Sequence, residues 1–202
     1  MDTYPGGSKE ALHTLIGGCL RGDQRAYADL YGHYAAGLYR LAYSILLDGQ
    51  DAEDVLQETF IYAFRCLDRY DPARGEFRTW LYTITVSRCH NMRRRKTLPT
   101  VDLASLLSVG REPAGPQKDT PEAALARRGV RDALEGALAT LSPRLREAVA
   151  LRYGQGLTYR EMAEVLGCPQ KTAESRVRLA HQALSRALGP TGAVLLEELW
   201  GF

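Results

Sequence analysis

Residues Thr158–Leu188, TYREMAEVLGCPQKTAESRVRLAHQALSRAL, read as two helices joined by a tight turn. Thr158 stands where a helix N-cap belongs, and Glu161, three residues on, completes a capping box. Met162, Ala163, Val165 and Leu166 supply apolar positions until Gly167-Cys168-Pro169 ends the helix. A second run then places Ala173, Val177, Ala180 and Leu184 on one side at helical spacing. Lys171, Thr172, Glu174, Ser175 and Arg178 fall outside that stripe, near the helix start. Two helices, a tight turn and a second helix that is polar at its N-terminus are the grammar of a helix-turn-helix, whose polar start meets DNA. The plainer alternative is a helical hairpin with a solvated face.

The preceding residues favour the first reading. In Leu141-Ser142-Pro143-Arg144-Leu145-Arg146-Glu147, Ser142 is the expected cap and Pro143 the first helical residue, opening a helix that runs to Gly154-Gln155-Gly156. A three-helix unit is then complete. The run LSPRLREAVALRYGQGLTYREMAEVLGCPQKTAESRVRLAHQAL resembles the C-terminal promoter-binding domain of bacterial sigma factors of the extracytoplasmic-function (ECF) group. That resemblance implies contacts to the minus-thirty-five promoter element from Thr158, Tyr159, Lys171, Thr172, Glu174, Ser175, Arg176 and Arg178.

The chain has 202 residues, 45% of them hydrophobic, enough for one or two small globular domains. No uninterrupted apolar run is long enough to span a bilayer, and Asp2 and Gly6-Gly7 occupy the place of a signal peptide's basic and apolar segments. The expectation is a cytoplasmic protein. A net charge of +2 decides little, but segregation of the charges does. Acids gather in Asp51–Glu58 and bases in Arg88–Lys96, which points to different partners for different faces. Cys19, Cys66, Cys89 and Cys168 are scattered without a CxxC pair, so no metal site and no cofactor are expected. Cys89 beside His90 is half of a metal or redox site at most, and a small buried hydrophobe is the commoner role for an isolated cysteine.

Residues 1–8 read as flexible, followed by a helix from near Lys9 to Gly17-Gly18 or Gly22. Asp23 then caps a longer one. Ala26, Tyr27, Leu30, Tyr31, Tyr34, Leu38, Leu41, Ala42, Ile45 and Leu46 recur at three- and four-residue spacing and predict helical core.

In DAEDVLQETFIYAFR, Ala52, Val55, Leu56, Thr59, Phe60, Ala63 and Phe64 form one apolar stripe. Asp54, Gln57, Glu58 and Ile61 are left on the opposite face, and an isoleucine among acids suggests a docking surface. Taken alone, Asp51, Glu53 and Asp54 need only complement the positive end of the helix dipole. The stretch DAEDVLQETF, however, resembles the sigma N-terminal motif that docks on the clamp helices of the large polymerase subunit. The resemblance assigns polymerase binding to Asp51, Asp54, Gln57 and Glu58, and the exposed Ile61 joins them.

The loop Cys66–Glu76 carries Tyr70-Asp71-Pro72 and Arg74-Gly75 as turn signals. In FRTWLYTITVSRCHNMRRRK, Phe77, Trp80, Leu81 and Ile84 make a narrow apolar seam, leaving Arg78, Tyr82, Thr85 and Arg93-Arg94-Arg95-Lys96 to the surface. Bases interleaved with aromatics suit a single strand held by its phosphates and stacked on rings. One or two basic residues in a last turn only balance the dipole, and four exceed that need. This stretch resembles the family's segment that melts and holds the minus-ten element. The expected contacts are Asp68, Arg69, Tyr70 and Arg74 in the loop, with Arg78, Tyr82, Arg88, Arg93, Arg94, Arg95 and Lys96 on the helix. Ser87 and Asn91 depart from the Asn and Asp usual in the family.

Residues 98–120 read as a linker, rich in Gly and Pro from Gly110, and a helix begins at Thr120-Pro121-Glu122. The expected organisation is all-α: two small helical domains, 1–97 and 121–188, joined by a flexible linker, with a tail over 189–202. The resemblance implies a sigma factor with no catalysis of its own, partnered by core RNA polymerase and promoter DNA and, in many relatives, by an anti-sigma inhibitor. The alternative is a free-standing helix-turn-helix regulator whose N-terminal half senses a ligand.

Overall fold

The computed structural model describes the chain over Lys9–Thr97 and over 133–200, with side chains from 10 to 96 and from 133 to 188. The expectations for residues 1–8, for the linker, for the helix start at Thr120 and for the side chains of the tail lie outside the described residues. Every regular element among the described residues is helical.

The N-terminal half comprises α1 (Lys9–Leu20), α2 (Gln24–Leu46), α3 (Gly49–Arg65), a short 3₁₀ turn (Leu67–Arg69) and α4 (Phe77–Thr97). Asp23 caps α2 by accepting from the Arg25 backbone N–H at 2.9 Å, as its position predicts. At the other end Leu47 takes a left-handed φ of 56°, and Asp48 at once caps α3 by accepting from the Asp51 N–H at 2.9 Å. Two caps in two residues make the corner between α2 and α3 sharp and fixed. Gly18 answers to packing, because a Cβ there would stand 2.8 Å from that of Ala26, so only glycine lets α1 approach α2 this closely.

The C-terminal half comprises α5 over 133–140, α6 (Pro143–Val149) continuing into a π-helical turn (Ala150–Gly154), α7 (Tyr159–Leu166) and α8 (Gln170–Trp200). Pro143 opens α6 as predicted, but Ser142 caps by position only: its carbonyl accepts from Leu145 and Arg146, and its hydroxyl makes no capping bond. The backbone of α8 stays helical through Gly189-Pro190 to Trp200, where the sequence suggested a separate tail.

The two helical regions do not stand apart. Helix α4 packs on α2 and α3 with one side and on α7 with another, while α2 also meets α6 and the π turn. One apolar core therefore runs from Ile16 in α1 through Leu81 in α4 to Leu157, Met162 and Val177, and a smaller cluster of Ala137, Leu138, Leu141, Val149, Ala180 and Leu184 closes the far end. The cause is the composition of α4, which buries far more of its circumference than its four-residue seam announced.

Candidate nucleic-acid and polymerase interfaces

The helix-turn-helix is built by local rules. The Thr158 hydroxyl accepts from the Glu161 N–H at 3.3 Å, and the Glu161 carboxylate accepts from the Thr158 N–H at 2.7 Å, so the capping box is closed from both sides. Burial works against the charged carboxylate of Glu161, but hydrogen bonds from Thr158 and the Arg78 guanidinium outweigh it and hold the group below its ordinary range. Helix α7 ends on Gly167 at φ 58°, a left-handed residue whose N–H returns to the last turn. The chain then enters α8 with Ala173, Val177, Ala180 and Leu184 all buried, the stripe the sequence predicts. Lys171, Ser175 and Arg178 are exposed, while Thr172, Glu174 and Arg176 are half-buried. The Gln170 amide donates to Glu174 at 2.9 Å. Thr158 is exposed, and the half-buried Tyr159 lies under the Arg152 guanidinium, 4.9 Å from its ring centroid.

On α3, Ala52, Val55, Leu56, Thr59, Phe60 and Ala63 are buried, and Ile61 is 53% exposed beside the exposed Gln57. Asp54 and Glu58 are half-exposed on the same side. Asp51 departs from the expected docking set. It is buried, and its carboxylate meets the Lys96 ammonium at 2.5 Å, so it faces the end of α4 rather than a partner.

The basic helix α4 differs most from its expected form. Tyr82 and Thr85, expected on the surface, are both buried. The Tyr82 hydroxyl donates to Gln155 at 2.8 Å and that of Thr85 to the Leu81 carbonyl at 3.0 Å. The reasons are tertiary: the C-terminal half meets Tyr82 through Gln155, and α3 covers Thr85, whose hydroxyl lies 3.5 Å from that of Thr59. Arg78 is held between Glu76 at 3.2 Å and Glu161 at 3.4 Å. Arg88 lies over the Tyr62 ring at 4.7 Å, and Arg95 meets Glu58 at 2.9 Å. In the loop Asp68, Arg69 and Arg74 are exposed, but Tyr70 turns inward. Its hydroxyl donates to the Gly75 carbonyl at 3.1 Å and its ring packs against Phe77 and Trp80.

Comparison with known proteins decides the family. Residues 30–98 match Sigma-70 region 2, and residues 131–184 match Sigma-70, region 4. The RNA polymerase sigma-H factor of Pseudomonas aeruginosa is 33% identical over 189 residues, 91% of this chain and 96% of that protein. The ECF RNA polymerase sigma-E factor of Escherichia coli (strain K12) is 32% identical over 182 residues, 87% of this chain and 93% of that one. CnrH, solved in complex with the cytosolic domain of CnrY, superposes with a TM-score of 0.63 at 27% identity over 87% of this chain and 95% of that one. The chain belongs to the ECF RNA polymerase sigma factors. It is a specificity subunit that binds core polymerase and directs promoter-specific initiation, with promoter DNA as its second partner. No helix among the described residues is long and apolar enough to cross a membrane.

The feature of this sigma factor that sequence reasoning missed is Glu147. It is 1% exposed, on α6, and its carboxylate takes His90 Nε2 at 2.8 Å and Arg93 at 3.4 Å, both from α4. A carboxylate so deeply buried is destabilising unless paired, and here two cations, each partly exposed, share it. The exposed pairs of α4 contribute about 0–1 kcal/mol each by comparison. Glu147 is thus the dominant polar tie between the halves, joined by Tyr82 to Gln155 and by Arg146 to the Ile45 carbonyl at 3.1 Å. A glutamate one position past Arg146 reads as helix surface in the sequence. Its burial follows only from where α4 lies. Cys89 and His90 separate in the same way, for the Cys89 thiol is fully buried and pushed well up by that burial while the imidazole turns out to Glu147.

Proposed function

We propose that this sigma factor divides its work among three surfaces. The ridge of α3 formed by Asp54, Gln57, Glu58 and Ile61 docks on core polymerase. The loop residues Asp68, Arg69 and Arg74 and the α4 cations Arg78, Arg88 and Arg93–Lys96 hold the melted minus-ten strand. The first turns of α8, with Thr158 and Tyr159 of α7, read the minus-thirty-five element. The observation that carries this reading is the exposure of Lys171, Ser175 and Arg178 on two successive turns of a helix whose opposite face is fully buried. Such an arrangement offers side chains to a major groove without disturbing the core.

Tyr82 and Asp51 leave the assigned set, since each is committed inside the protein. Arg78 and Arg93 are committed to Glu161 and Glu147, so they reach a strand only after the C-terminal half swings off α4. Free energy for that step comes from association with core polymerase and promoter DNA.

The chain acts in the cytoplasm, directs an enzyme without catalysing a reaction itself, and serves a stress or envelope response. An anti-sigma protein is the expected inhibitor, since RpoE of Bartonella quintana was solved in complex with the anti-sigma factor NepR. The test uses two double variants with core polymerase and a promoter library. Asp54→Lys with Glu58→Lys should abolish co-purification with core. Lys171→Ala with Arg178→Ala should preserve it and lose upstream-element selection. Identical behaviour of the two would overturn the division.

A further inference from the structure

The seam between the halves opens at one end into a cleft of about 860 Å³. Helix α4 sends His90, Arg93, Arg94 and Lys96 into it, and the C-terminal half faces them with Arg144, Glu147 and Arg176. Its carboxylates are already engaged: Asp51 and Asp48 by Lys96, Glu147 by His90 and Arg93. Arg144 and Arg176 meet no carboxylate among the described residues. Two guanidinium groups of one half therefore face the basic end of α4 across the cleft, whose six basic side chains outnumber its three carboxylates. Like charges so placed repel, and an anion between them would convert repulsion into paired contacts.

We propose that this cleft binds a small polyphosphate, a chain of two or more phosphate groups with or without a nucleoside, and that the bound chain ties the two halves closed. Planar guanidinium groups match phosphate oxygens two at a time, and cations on both walls suit a ligand with charge at both ends. The volume lies in the range of about 300–1,000 Å³ typical of small-molecule sites. Leu46, Leu47 and Leu166 give the cleft an apolar wall against which a nucleoside could lie. Lys96, Arg93 and Arg176 also belong to the surfaces read above as DNA-binding, so a ligand that holds them competes with promoter DNA. That regulatory consequence rests on the proposed division of surfaces, whereas the binding site does not.

The experiment titrates the full chain calorimetrically with inorganic tripolyphosphate and, separately, with GTP at matched ionic strength. Saturable one-to-one binding by either supports the site. Arg144→Ala should weaken it about ten-fold, the loss of one charge-assisted contact. Tripolyphosphate binding as tightly as GTP assigns the site to phosphate alone, and tighter GTP assigns the leucine wall to the nucleoside. No saturation, or binding that Arg144→Ala leaves unchanged, overturns the site. So does an equal loss in Lys171→Ala with Arg178→Ala, which would move binding to the recognition face. Arg144 is exposed and outside the DNA-contacting set, so promoter binding by Arg144→Ala without ligand should equal wild type. With ligand present, wild type should lose promoter binding and Arg144→Ala should keep it. Anion binding that leaves promoter affinity intact overturns the closure.

Discussion

Helices α4 and α8 both carry cations and both belong to surfaces read as nucleic-acid contacts, yet they stand in opposite states. The start of α8 presents Lys171, Ser175 and Arg178 to solvent behind a completed core stripe. Helix α4 has its polar side folded into the protein, with Tyr82 on Gln155, Arg78 on Glu161 and Arg93 on Glu147. The first face lies open as it stands, whereas on α4 Arg94, Arg95 and Lys96 are exposed but Arg78 and Arg93 come free only after the halves part. On the proposed division of surfaces, upstream recognition needs no rearrangement, whereas strand capture by Arg78 and Arg93 is coupled to opening.

The sharpest way to break that comparison is Tyr82→Ala. A buried aromatic cut to alanine costs about 3–5 kcal/mol, whereas Lys171→Ala, on the exposed face, should stay within about 0.5 kcal/mol of wild type. Denaturant unfolding measures both. If Tyr82→Ala unfolds with the wild-type midpoint, Tyr82 is not engaged with Gln155 and α4 is open in solution.

The second expected effect is on binding. Lys171→Ala should lower promoter affinity by about 1–3 kcal/mol at one base pair of the upstream element. Arg176→Ala, if that residue contacts a phosphate, should weaken all promoters alike and reduce the salt slope by about one. Single-base promoter scans at several salt concentrations separate the two. Identical responses would mean that α8 does not read sequence.

The same contrast explains what the sequence disclosed. Thr158, Glu161, Gly167 and the Ala173–Leu184 stripe interact within a few turns, so cap, stop and buried face are written in consecutive residues. The stripe of α3 was legible for the same reason, as was the outward Ile61. In α4 the partners across the seam lie far along the chain: Tyr82 and Gln155 are separated by 73 positions, His90 and Glu147 by 57. Tyr82 and Thr85 were read as surface because a single seam of Phe77, Trp80, Leu81 and Ile84 already satisfied an amphipathic helix. Nothing local announces that a second element packs on the other side. Asp51 misled by its type, since an acid in a first turn reads as exposed, and the cation that buries it, Lys96, arrives from the end of another helix.

A third, smaller effect is set by pH. Glu161 sits below its ordinary 4.5 in the folded chain, so the stability it adds is fully present above that value and fades as pH falls through the folded one. Its partners, Thr158 of α7 and Arg78 of α4, join the recognition motif to the covered helix. Acidification below pH 4.5 should therefore loosen α7 from α4 before it disturbs the apolar stripe of α8. The unfolding midpoints of wild type and Glu161→Gln should converge at low pH and separate at neutral pH. A constant difference across that range would place the effect of the substitution elsewhere.

The smallest effect falls on the loop between α3 and α4, where Tyr70 asks whether a residue read as a base contact is instead a strut. Its hydroxyl donates to the Gly75 carbonyl, and its ring lies 5.0 Å from that of Phe77 and 5.6 Å from that of Trp80. An inward tyrosine of this kind fixes the loop's shape, so that Asp68, Arg69 and Arg74, exposed beside it, are the groups that the proposed reading leaves to touch a base turned out of the stack. Tyr70→Phe removes one hydrogen bond and keeps the ring packing, which should cost about 0.5–1.5 kcal/mol. Its minus-ten base preference should match wild type, because the hydroxyl is already occupied within the loop. Exchange of residues 67–76 for the loop of another ECF factor should change that preference while polymerase binding and upstream recognition persist. Transcription from a randomised minus-ten library reads both. Altered selection by Tyr70→Phe would make the hydroxyl a direct base contact and require the loop to open along with α4, whereas unaltered selection by the loop exchange would leave minus-ten specificity to α4 alone.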